Sequence, residues 1–310
     1  MAIDPQFREA ISRFRDAFSG LSARFDLSAA REALARTVAQ LEGPAPALAD
    51  VRPVLVPGGA GDRPGRLYTP LAAGTDAGPG LVYFHGGGFT LGGLDTHDGV
   101  CRRLAASSGV RVLSVAYRLA PEHAFPAGWE DARAALRSAL SADNPWRIDP
   151  TRVAVGGDSA GANLAAGLAQ ALRAEPGLRY QLLLYPLLQL VQTDHARAKP
   201  FQGGPMADLA LDQIKKVYLT DPALAHDPRV SPLFESNLVG LAPAYVLTAE
   251  LDPLRAEGRA YVDRLRAAGV GVETADYARM PHGFLNLTAV FDTAHEALEK
   301  AGTALGRSLS

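Results

Sequence analysis

The chain has a single cysteine, Cys101, among its 310 residues. One thiol cannot form an intrachain disulfide, and it excludes a metal site built on several cysteines. Cys101 lies in HDGVCRRLAAS, a stretch predicted to be helical, where a thiol packs as a small apolar side chain. We therefore expect an apolar core without cross-links, which a chain of this length can bury.

Strong charge and long apolar runs are also missing. The formal net charge is only -2 at pH 7, so we expect no nucleic-acid partner. No apolar run reaches the roughly 20 residues of a membrane span, so we expect no stable membrane insertion. The N-terminal MAIDPQFREAISRF lacks the basic-then-apolar pattern of a signal peptide. Together these absences predict a globular protein of the cytoplasm.

The common motifs of nucleotide and metal chemistry do not occur. The glycines Gly86, Gly87 and Gly88 have neither the G-x-G-x-x-G spacing nor the lysine of a phosphate-binding loop. His295-Glu296 is followed by Ala-Leu-Glu, which is not the H-E-x-x-H pattern of zinc enzymes. We expect no cofactor and no metal, so activity should survive exhaustive chelation.

The chain does contain a regular alternation of apolar strands and amphipathic helices. Six segments lack the polar alternation of an exposed strand: GLVYFHGGG, VRVLSVAY, RVAVGG, YQLLLYP, AYVLTAE and VGVETADYA. Most of them precede a helical pattern, which predicts an α/β fold with a mostly parallel sheet and helices on both faces. Before them, VRPVLVP and GRLYTP predict a starting hairpin.

Two regions depart from this alternation. An amphipathic helix is predicted over residues 3–18 and another from about 28 to 41, ahead of the first strand. Between Tyr185 and Ala244 the alternation stops, apart from a helix near Leu211–Tyr218. The prediction is a catalytic domain under a helical cap, with the cap from residues 1–45 and the insertion 187–243, and the catalytic domain from 46–186 and 244–310.

A Gly-x-Ser-x-Gly pentapeptide, Gly157 to Gly161, stands between a short apolar strand and an alanine-rich helix. The pentapeptide alone is a weak signal, because glycine and serine are common. In a strand–turn–helix context it is typical of a nucleophile elbow, where the serine sits on a strained turn and its neighbours are small. The context therefore favours Ser159 as a nucleophile. Asp158, which adjoins it, is interpreted as structural.

A serine nucleophile needs a base, and the base needs an orienting acid. Asp252 follows the strand AYVLTAE, and His282 follows VGVETADYA. Ligands of parallel sheets bind beyond the carboxyl ends of the strands, where both residues would lie. The order Ser159, Asp252, His282 is that of α/β-hydrolases, and their loops should be neighbours if the two strands pair.

Competing residues are placed less well. Glu250 is the nearest rival acid, whereas the other acids and histidines fall inside elements, in loops or in the insertion: Asp276, Asp292, His97, His123, His195, His226 and His295.

The base His282 is active only when neutral, so its pKa sets the pH dependence. Burial lowers the pKa of a histidine and a neighbouring carboxylate raises it, so we expect the acid limb of the pH profile between about pH 5.5 and 7.5.

Acyl transfer also needs hydrogen-bond donors for the oxyanion that develops on the substrate. The triple glycine after the strand GLVYF can expose backbone N–H groups, because no Cβ stands in the way. The N–H of Ala160, the residue after the nucleophile, is the expected further donor. This loop should therefore matter for the rate.

Five blocks now show a resemblance: HGGGF at 85–89, YRLAPEHAFPAGWED at 117–131, GDSAGAN at 157–163, DPLRAEG at 252–258 and HGF at 282–284. They resemble the bacterial hormone-sensitive lipase family of α/β-hydrolases over most of the chain, from about residue 50 onwards. One departure is Ala162, where the family usually has a third glycine.

The resemblance implies hydrolysis of carboxylic esters, usually with short acyl chains, and no cofactor. It implies that Ser159 is the nucleophile, His282 the base and Asp252 the orienting acid. It implies oxyanion donors at Gly86, Gly87 and Ala160, and a structural role for His85 in holding the loop. It also implies a cap formed by the N-terminal segment and an insertion.

Three functions remain open at this point. The first is an esterase acting on a small-molecule ester. The second is a non-catalytic receptor of the same fold, against which the intact PHGF around His282 argues. The third is an amidase or peptidase with the same triad. As to assembly, VGVETADYA is expected near the sheet edge, where an exposed strand can pair in a symmetric homodimer.

Overall fold

Eight strands form a single sheet in the computed structural model, which describes residues 27–191 and 211–310. In chain order the strands are β1 (Asp50–Val56), β2 (Arg63–Thr69), β3 (Gly78–Phe84), β4 (Arg111–Val115), β5 (Ile148–Asp158), β6 (Leu178–Leu184), β7 (Ala244–Ala249) and β8 (Val272–Tyr277). Their order across the sheet is β1-β2-β4-β3-β5-β6-β7-β8.

The sheet is parallel from β4 to β8 and antiparallel only at its first edge. β1 pairs antiparallel with β2, and β2 pairs antiparallel with β4. The predicted starting hairpin is therefore confirmed. β8 pairs with β7 and closes the opposite edge of the sheet, as its position before a single last helix predicted.

The described part of the chain contains seven α-helices. They are α1 (Leu27–Leu41), α2 (Asp98–Ser108), α3 (Ala127–Ala139), α4 (Ala160–Ala171), α5 (Leu211–Tyr218), α6 (Arg255–Ala267) and α7 (Asp292–Ser308). Three short 3₁₀ helices span Pro222–His226, Pro232–Phe234 and Phe284–Asn286. The predicted helices near 28–41 and at Leu211–Tyr218 are confirmed, whereas the helix predicted over 3–18 lies outside the described residues.

Apolar side chains fill both faces of the sheet, as its near-continuous apolar strands predicted. Leu104 of α2 and Leu298 of α7 belong to the cluster on one face. Leu136 of α3, Leu168 of α4 and Leu265 of α6 belong to the cluster on the other. The α/β architecture with helices on both faces is thereby confirmed. Cys101 is buried in the first cluster as a free thiol.

Helix α4 is the most deeply placed of these helices, since every residue from Ala160 to Gln170 is buried. An α-helix that is apolar all round is stable only inside a core. Its alanines let the backbone come close to the sheet, and each larger side chain such as Leu164 contributes roughly 2 kcal/mol by leaving water. The start of α4 is therefore a rigid platform for the turn that precedes it.

Parallel pairing brings the carboxyl ends of four strands to one rim. Phe84 at the end of β3 is in register with Gly157 of β5, and Ala249 at the end of β7 is in register with Tyr277 of β8. The segments that follow these strands emerge at this rim, where open parallel sheets bind their ligands. Among residues 27–191 and 211–310, no helix is both long and apolar enough to cross a membrane.

Candidate active site

Ser159 stands at the sharp turn between β5 and α4. Its backbone has φ 52° and ψ -117°, a positive-φ conformation that costs a non-glycine residue about 1–3 kcal/mol. The Ser159 N–H donates to Leu184 O at 2.9 Å, and the Leu187 N–H donates to Ser159 O at 3.2 Å. A Cβ at Gly161 would collide with the carbonyl oxygen of Phe84. The small neighbours and the strain expected of a nucleophile elbow are thus both present.

The structure brings the other two predicted triad members to this serine. His282 Nε2 lies 2.9 Å from Ser159 Oγ, and His282 Nδ1 lies 2.7 Å from Asp252 Oδ2. The second carboxylate oxygen of Asp252 accepts the N–H of Leu254 at 2.7 Å. Since β7 and β8 pair, their carboxyl ends hold Asp252 and His282 side by side. The result is a continuous hydrogen-bond chain from carboxylate to hydroxyl.

The rival residues are used elsewhere. Glu250 accepts the N–H of Arg279 at 2.6 Å, and Asp276 accepts the hydroxyl of Thr248 at 2.8 Å. His295 lies exposed in α7, with its Nε2 on Thr288 O. His226 ends a 3₁₀ helix, His123 lies in an exposed turn, and Asp292 begins α7. His97 lies beside Asp158, and His195 lies outside the described residues. None of the described rivals forms a hydrogen bond with Ser159.

The surroundings of the His282 imidazole favour the uptake of a proton. Burial on its own lowers its pKa, but the Asp252 carboxylate raises it more, and the pKa lies above the usual 6.5. The ring of Tyr185 packs against the imidazole edge-on, with ring centroids 4.9 Å apart. A base in which proton uptake is favoured by a fixed anion, and in which the ring is held by a neighbour, suits general-base catalysis.

The glycine loop that follows β3 approaches Ser159 from the other side. Its first N–H, on Gly86, donates to Asp158 Oδ1 at 2.9 Å. That donor is therefore already used by a buried carboxylate, and the assignment of Gly86 as an oxyanion donor is corrected. Within the described ranges, no partner is found for the N–H groups of Gly87, Gly88 and Ala160. These three are the free donors of the site.

Carbonyl contacts fix the directions of two of these donors. A trans peptide is planar, so the C=O of one residue and the N–H of the next point opposite ways. His85 Nδ1 lies 2.8 Å from Gly86 O, which orients the N–H of Gly87. The N–H groups of Thr90 and Leu91 donate to Gly87 O at 3.2 and 2.9 Å, which orients the N–H of Gly88.

His85 holds the loop as a neutral side chain. Burial and the nearby His97 lower its pKa to about 4. Because a carbonyl oxygen only accepts, the His85 proton must sit on Nδ1 and be donated to Gly86 O. The Tyr117 hydroxyl donates to His85 O at 2.8 Å, and the two rings stack with centroids 4.5 Å apart. His85 is thus placed where it can hold the glycine loop, as the resemblance implied.

Asp158 forms a buried polar cluster that sequence reasoning did not identify. Its Oδ1 also accepts the hydroxyl of Tyr83 at 2.8 Å, and His97 Nε2 lies 3.2 Å from its Oδ2. Burial alone would raise the pKa of this carboxyl, but His97 and the bonds from His97, Tyr83 and Gly86 outweigh it and hold the pKa below its usual value. Asp158 is therefore an anion that ties the nucleophile turn to the glycine loop.

Segments from both predicted cap regions lie on this loop. The ring of Tyr218, in α5, stacks on Phe89 with centroids 3.9 Å apart. A Cβ on Gly88 would come within 2.6 Å of Ile214 Cδ1, so α5 covers the loop closely. Arg31 of α1 reaches the same loop and donates to Thr90 O at 2.9 Å. Among the described residues, no group of three or more His, Cys, Asp or Glu could hold a metal ion.

A serine on a strained strand-to-helix turn, with a histidine and an aspartate in series, is the constellation of the α/β-hydrolases. The chain matches a family model of the α/β-hydrolase fold over residues 81–286. It belongs to the α/β-hydrolase family, and within it to the bacterial relatives of hormone-sensitive lipase.

Relatives and solved structures agree with this placement. The chain is 40% identical over 297 residues to "Carboxylic ester hydrolase LipN" of Mycobacterium tuberculosis, covering 92% of this chain and 77% of the relative. It is 38% identical over 255 residues to "Ethyl acetate hydrolase" of Pseudomonas putida, covering 79% of each.

Two solved structures are similar over almost their whole length. An α/β-hydrolase enzyme from the metagenome of Lake Arreo matches with a TM-score of 0.91 and 36% identity, covering 98% of each chain. A hyperthermophilic esterase from the archaeon Pyrobaculum calidifontis matches with a TM-score of 0.89 and 35% identity, covering 99% of each chain. The fold predicted from the sequence is therefore that of solved members of the family.

Proposed function

We propose that the protein is a serine carboxylesterase that hydrolyses short- to medium-chain carboxylic esters through an acyl-enzyme. The observation that carries the proposal is the unbroken chain from Asp252 through His282 to Ser159 Oγ. Support also comes from relatives at about 40% identity that are named carboxylic ester hydrolases. An intact base beside the serine is a feature that a non-catalytic receptor would not need.

In the acylation step, Ser159 Oγ attacks the ester carbonyl carbon while its proton passes to His282 Nε2. The carbonyl π electrons move to the oxygen, and the new anion accepts hydrogen bonds from the N–H groups of Gly87, Gly88 and Ala160. Asp252 stabilises the imidazolium and holds the tautomer that leaves Nε2 free to accept. Collapse of the tetrahedral intermediate expels the alkoxide, which leaves as the alcohol after taking the proton from His282.

Deacylation repeats the sequence with water as the nucleophile. His282 takes a proton from water as the hydroxide oxygen bonds to the acyl carbon, and the same three N–H groups receive the oxyanion. Breakdown releases the carboxylic acid and returns the proton to Ser159 Oγ. No redox change or co-reactant other than water is needed, so the reaction balances with this chain's own residues.

The preference for small acyl groups is supported by the resemblance and by one relative's name, which specifies ethyl acetate. α1 and α5, which pack on the oxyanion loop, would form the roof of the substrate pocket. We propose that they act as a cap of residues 1–45 and 187–243 over the catalytic domain of 46–186 and 244–310. A roof packed on the oxyanion loop favours a short acyl chain.

A panel of p-nitrophenyl esters from acetate to palmitate, each below its aggregation point, tests the proposal alongside p-nitroacetanilide. We expect the highest kcat/KM for acetate or butyrate, little turnover of the anilide, and unchanged rates after exhaustive chelation. Faster anilide cleavage would assign an amidase, and binding of esters without turnover would assign a receptor. Faster hydrolysis of palmitate than of butyrate would contradict the proposed acyl range.

A further inference from the structure

Arg31 of α1 makes four hydrogen bonds across the chain. Its Nε donates to Thr90 O at 2.9 Å, and its Nη2 donates to Ala120 O at 3.1 Å. Its Nη1 and Nη2 donate to the two carboxylate oxygens of Glu122 at 2.7 and 2.8 Å. One planar guanidinium therefore joins α1, the glycine loop and the segment around Ala120, in a bidentate geometry that only arginine offers.

Both carbonyls that Arg31 binds belong to segments that brace the oxyanion loop. Thr90 donates its N–H and its hydroxyl to Gly87 O, at 3.2 and 3.3 Å. Ala120 donates its N–H to Phe89 O at 2.9 Å. Because Gly87 O shares a peptide plane with the N–H of Gly88, a shift of Thr90 turns an oxyanion donor. Arg31 is thus two hydrogen bonds from the peptide that would carry the catalytic N–H.

We propose that Arg31 is a positioning residue that holds the oxyanion loop in its reactive geometry through Thr90 and Ala120. The inference rests on the proposed ester hydrolysis and deepens it, since it assigns a role in the oxyanion site to a residue of the N-terminal segment. Arg31 forms no hydrogen bond with Ser159 or His282, so we expect it to act through the loop. Its side chain is 28% exposed and its partner Glu122 is 51% exposed, so their ion pair is screened by solvent. The hydrogen bonds to the carbonyl oxygens of Thr90 and Ala120 therefore carry the effect.

A positioning role differs from mere anchoring of α1 in what it does to the kinetics. The oxyanion exists only in the transition state and the intermediates, so misaligned donors lower kcat and leave KM nearly unchanged. Deleting one oxyanion donor costs about 10²–10³ in kcat in other hydrolases. Tilting one donor should cost less, and we expect a loss of about tenfold for Arg31→Gln.

The test compares Arg31→Gln with Arg36→Gln, which removes a 67% exposed arginine from the same helix whose ion pair with Glu32 spans 3.5 Å. For each protein, kcat and KM are measured with p-nitrophenyl butyrate and with the matching thiono ester, whose sulfur accepts hydrogen bonds weakly. We expect Arg31→Gln to lose kcat on the oxygen ester and much less on the thiono ester, so the ratio of the two rates falls. Arg36→Gln should leave the ratio unchanged.

Two milder variants keep the test decisive if Arg31→Gln does not fold. Arg31→Lys keeps the charge but cannot hold both carbonyls, and Glu122→Gln weakens the bidentate pair while the bonds to Thr90 and Ala120 remain. We expect a larger fall of the oxygen-to-thiono ratio in Arg31→Lys than in Glu122→Gln, with circular dichroism as for the wild type. Unchanged ratios in every folded Arg31 variant would overturn the inference. An inactive wild-type protein would instead contradict the proposed function.

Discussion

The triad and the oxyanion loop lie at the same rim of the sheet but are held there by different means. Each triad residue directly follows or closely follows a strand: Ser159 after β5, Asp252 after β7 and His282 after β8. The oxyanion loop is held by side chains, namely His85 at its own start and Asp158 and Arg31 from distant segments. Backbone ladders resist small changes of sequence, whereas one substitution can remove a side-chain brace.

Removal of the nucleophile Ser159, which belongs to the strand-held triad, should have the largest effect on activity. We expect Ser159→Ala to fold as the wild type does and to lose about 10⁶ in kcat, as loss of the serine does in a comparable triad. Alanine keeps the buried turn filled and removes only Oγ. The measurements are ester hydrolysis and thermal unfolding. Retained activity above about 10⁻³ of the wild type would place the nucleophile elsewhere.

Replacement of the orienting acid should have the next largest effect. Asp252→Asn should lower kcat by about 10⁴, because the amide stabilises the wrong imidazole tautomer and removes the charge that faces the imidazolium. Glu250→Gln is the matched control two residues away, since the Glu250 side chain accepts the N–H of the exposed Arg279. Kinetics of the two variants on one ester decide between them. A crippled Glu250→Gln beside an active Asp252→Asn would mean that the wrong acid is named.

Loss of the contact between His97 and Asp158, beside the loop, should lower both the stability of the protein and the rate of hydrolysis. His97→Leu leaves the buried Asp158 without its imidazole partner, which we expect to cost about 3 kcal/mol of unfolding free energy. It should also lower kcat by about tenfold, because Asp158 positions the start of the glycine loop. Urea unfolding and ester kinetics measure the two effects. His123→Ala, at an exposed turn, is the control and should change neither.

The pH profile of ester hydrolysis reports on the interaction between Asp252 and His282 in the triad. A protonated His282 cannot accept the serine proton, so activity should fall about tenfold for each pH unit below its pKa. That pKa is raised, so the midpoint of the acid limb should lie above pH 6.5, in the upper part of the range expected from the sequence. In Asp252→Asn the raising carboxylate is gone and burial dominates, so the residual limb should move to lower pH. A wild-type midpoint below pH 6 would contradict this account.

Glu257 gives the smallest expected effect, and it concerns stability rather than rate. This α6 side chain accepts the Leu188 N–H at 2.7 Å, and burial raises its pKa from 4.5 to about 8. The folded protein keeps this proton up to about pH 8 while the unfolded chain releases it near 4.5. The stabilisation is therefore complete below pH 4.5 and is lost as pH rises towards 8.

Glu257→Gln mimics the neutral acid at every pH. We expect its Tm to exceed that of the wild type by an amount that grows from pH 5 to pH 8 and then levels off, with kcat at pH 7 within about twofold of the wild type. A Tm difference that does not vary with pH would show that Glu257 is not protonated in the folded protein. Gln170, which donates to Pro232 O in the same core, is not titratable and offers a pH-independent reference through Gln170→Ala.

The triad could be predicted from the sequence because the order of the strands determines where its three residues lie. Apolar segments revealed β5, β7 and β8, and the residues after them had to meet at the rim. The braces from Asp158 and Arg31 could not be found this way, since the order of the strands does not determine which side chains reach the loop, as Arg31 reaches Thr90. The same limit explains the misassigned Gly86: only the folded chain shows that its N–H already binds Asp158.

Other features lay between these two limits. The polar cluster at His97 had one sequence signal, because His97 follows β3, Asp158 ends β5, and the carboxyl ends of two parallel strands meet at one rim. That signal was too weak against the many histidines of the chain. Acyl preference depends on the shape of the pocket under α1 and α5, which local sequence patterns do not encode. Homodimer formation through the β8 edge stays a prediction.

Labelling with an organophosphate tests the central claim most directly. A p-nitrophenyl dialkyl phosphonate or phosphate at equimolar amount should abolish ester hydrolysis, with one adduct per chain and the modified peptide containing Ser159. The same reagent should not label the His282→Ala variant at a comparable rate, because Oγ would have lost its base. An adduct recovered on another serine, or full activity with Ser159 modified, would contradict the assignment of Ser159 as the nucleophile.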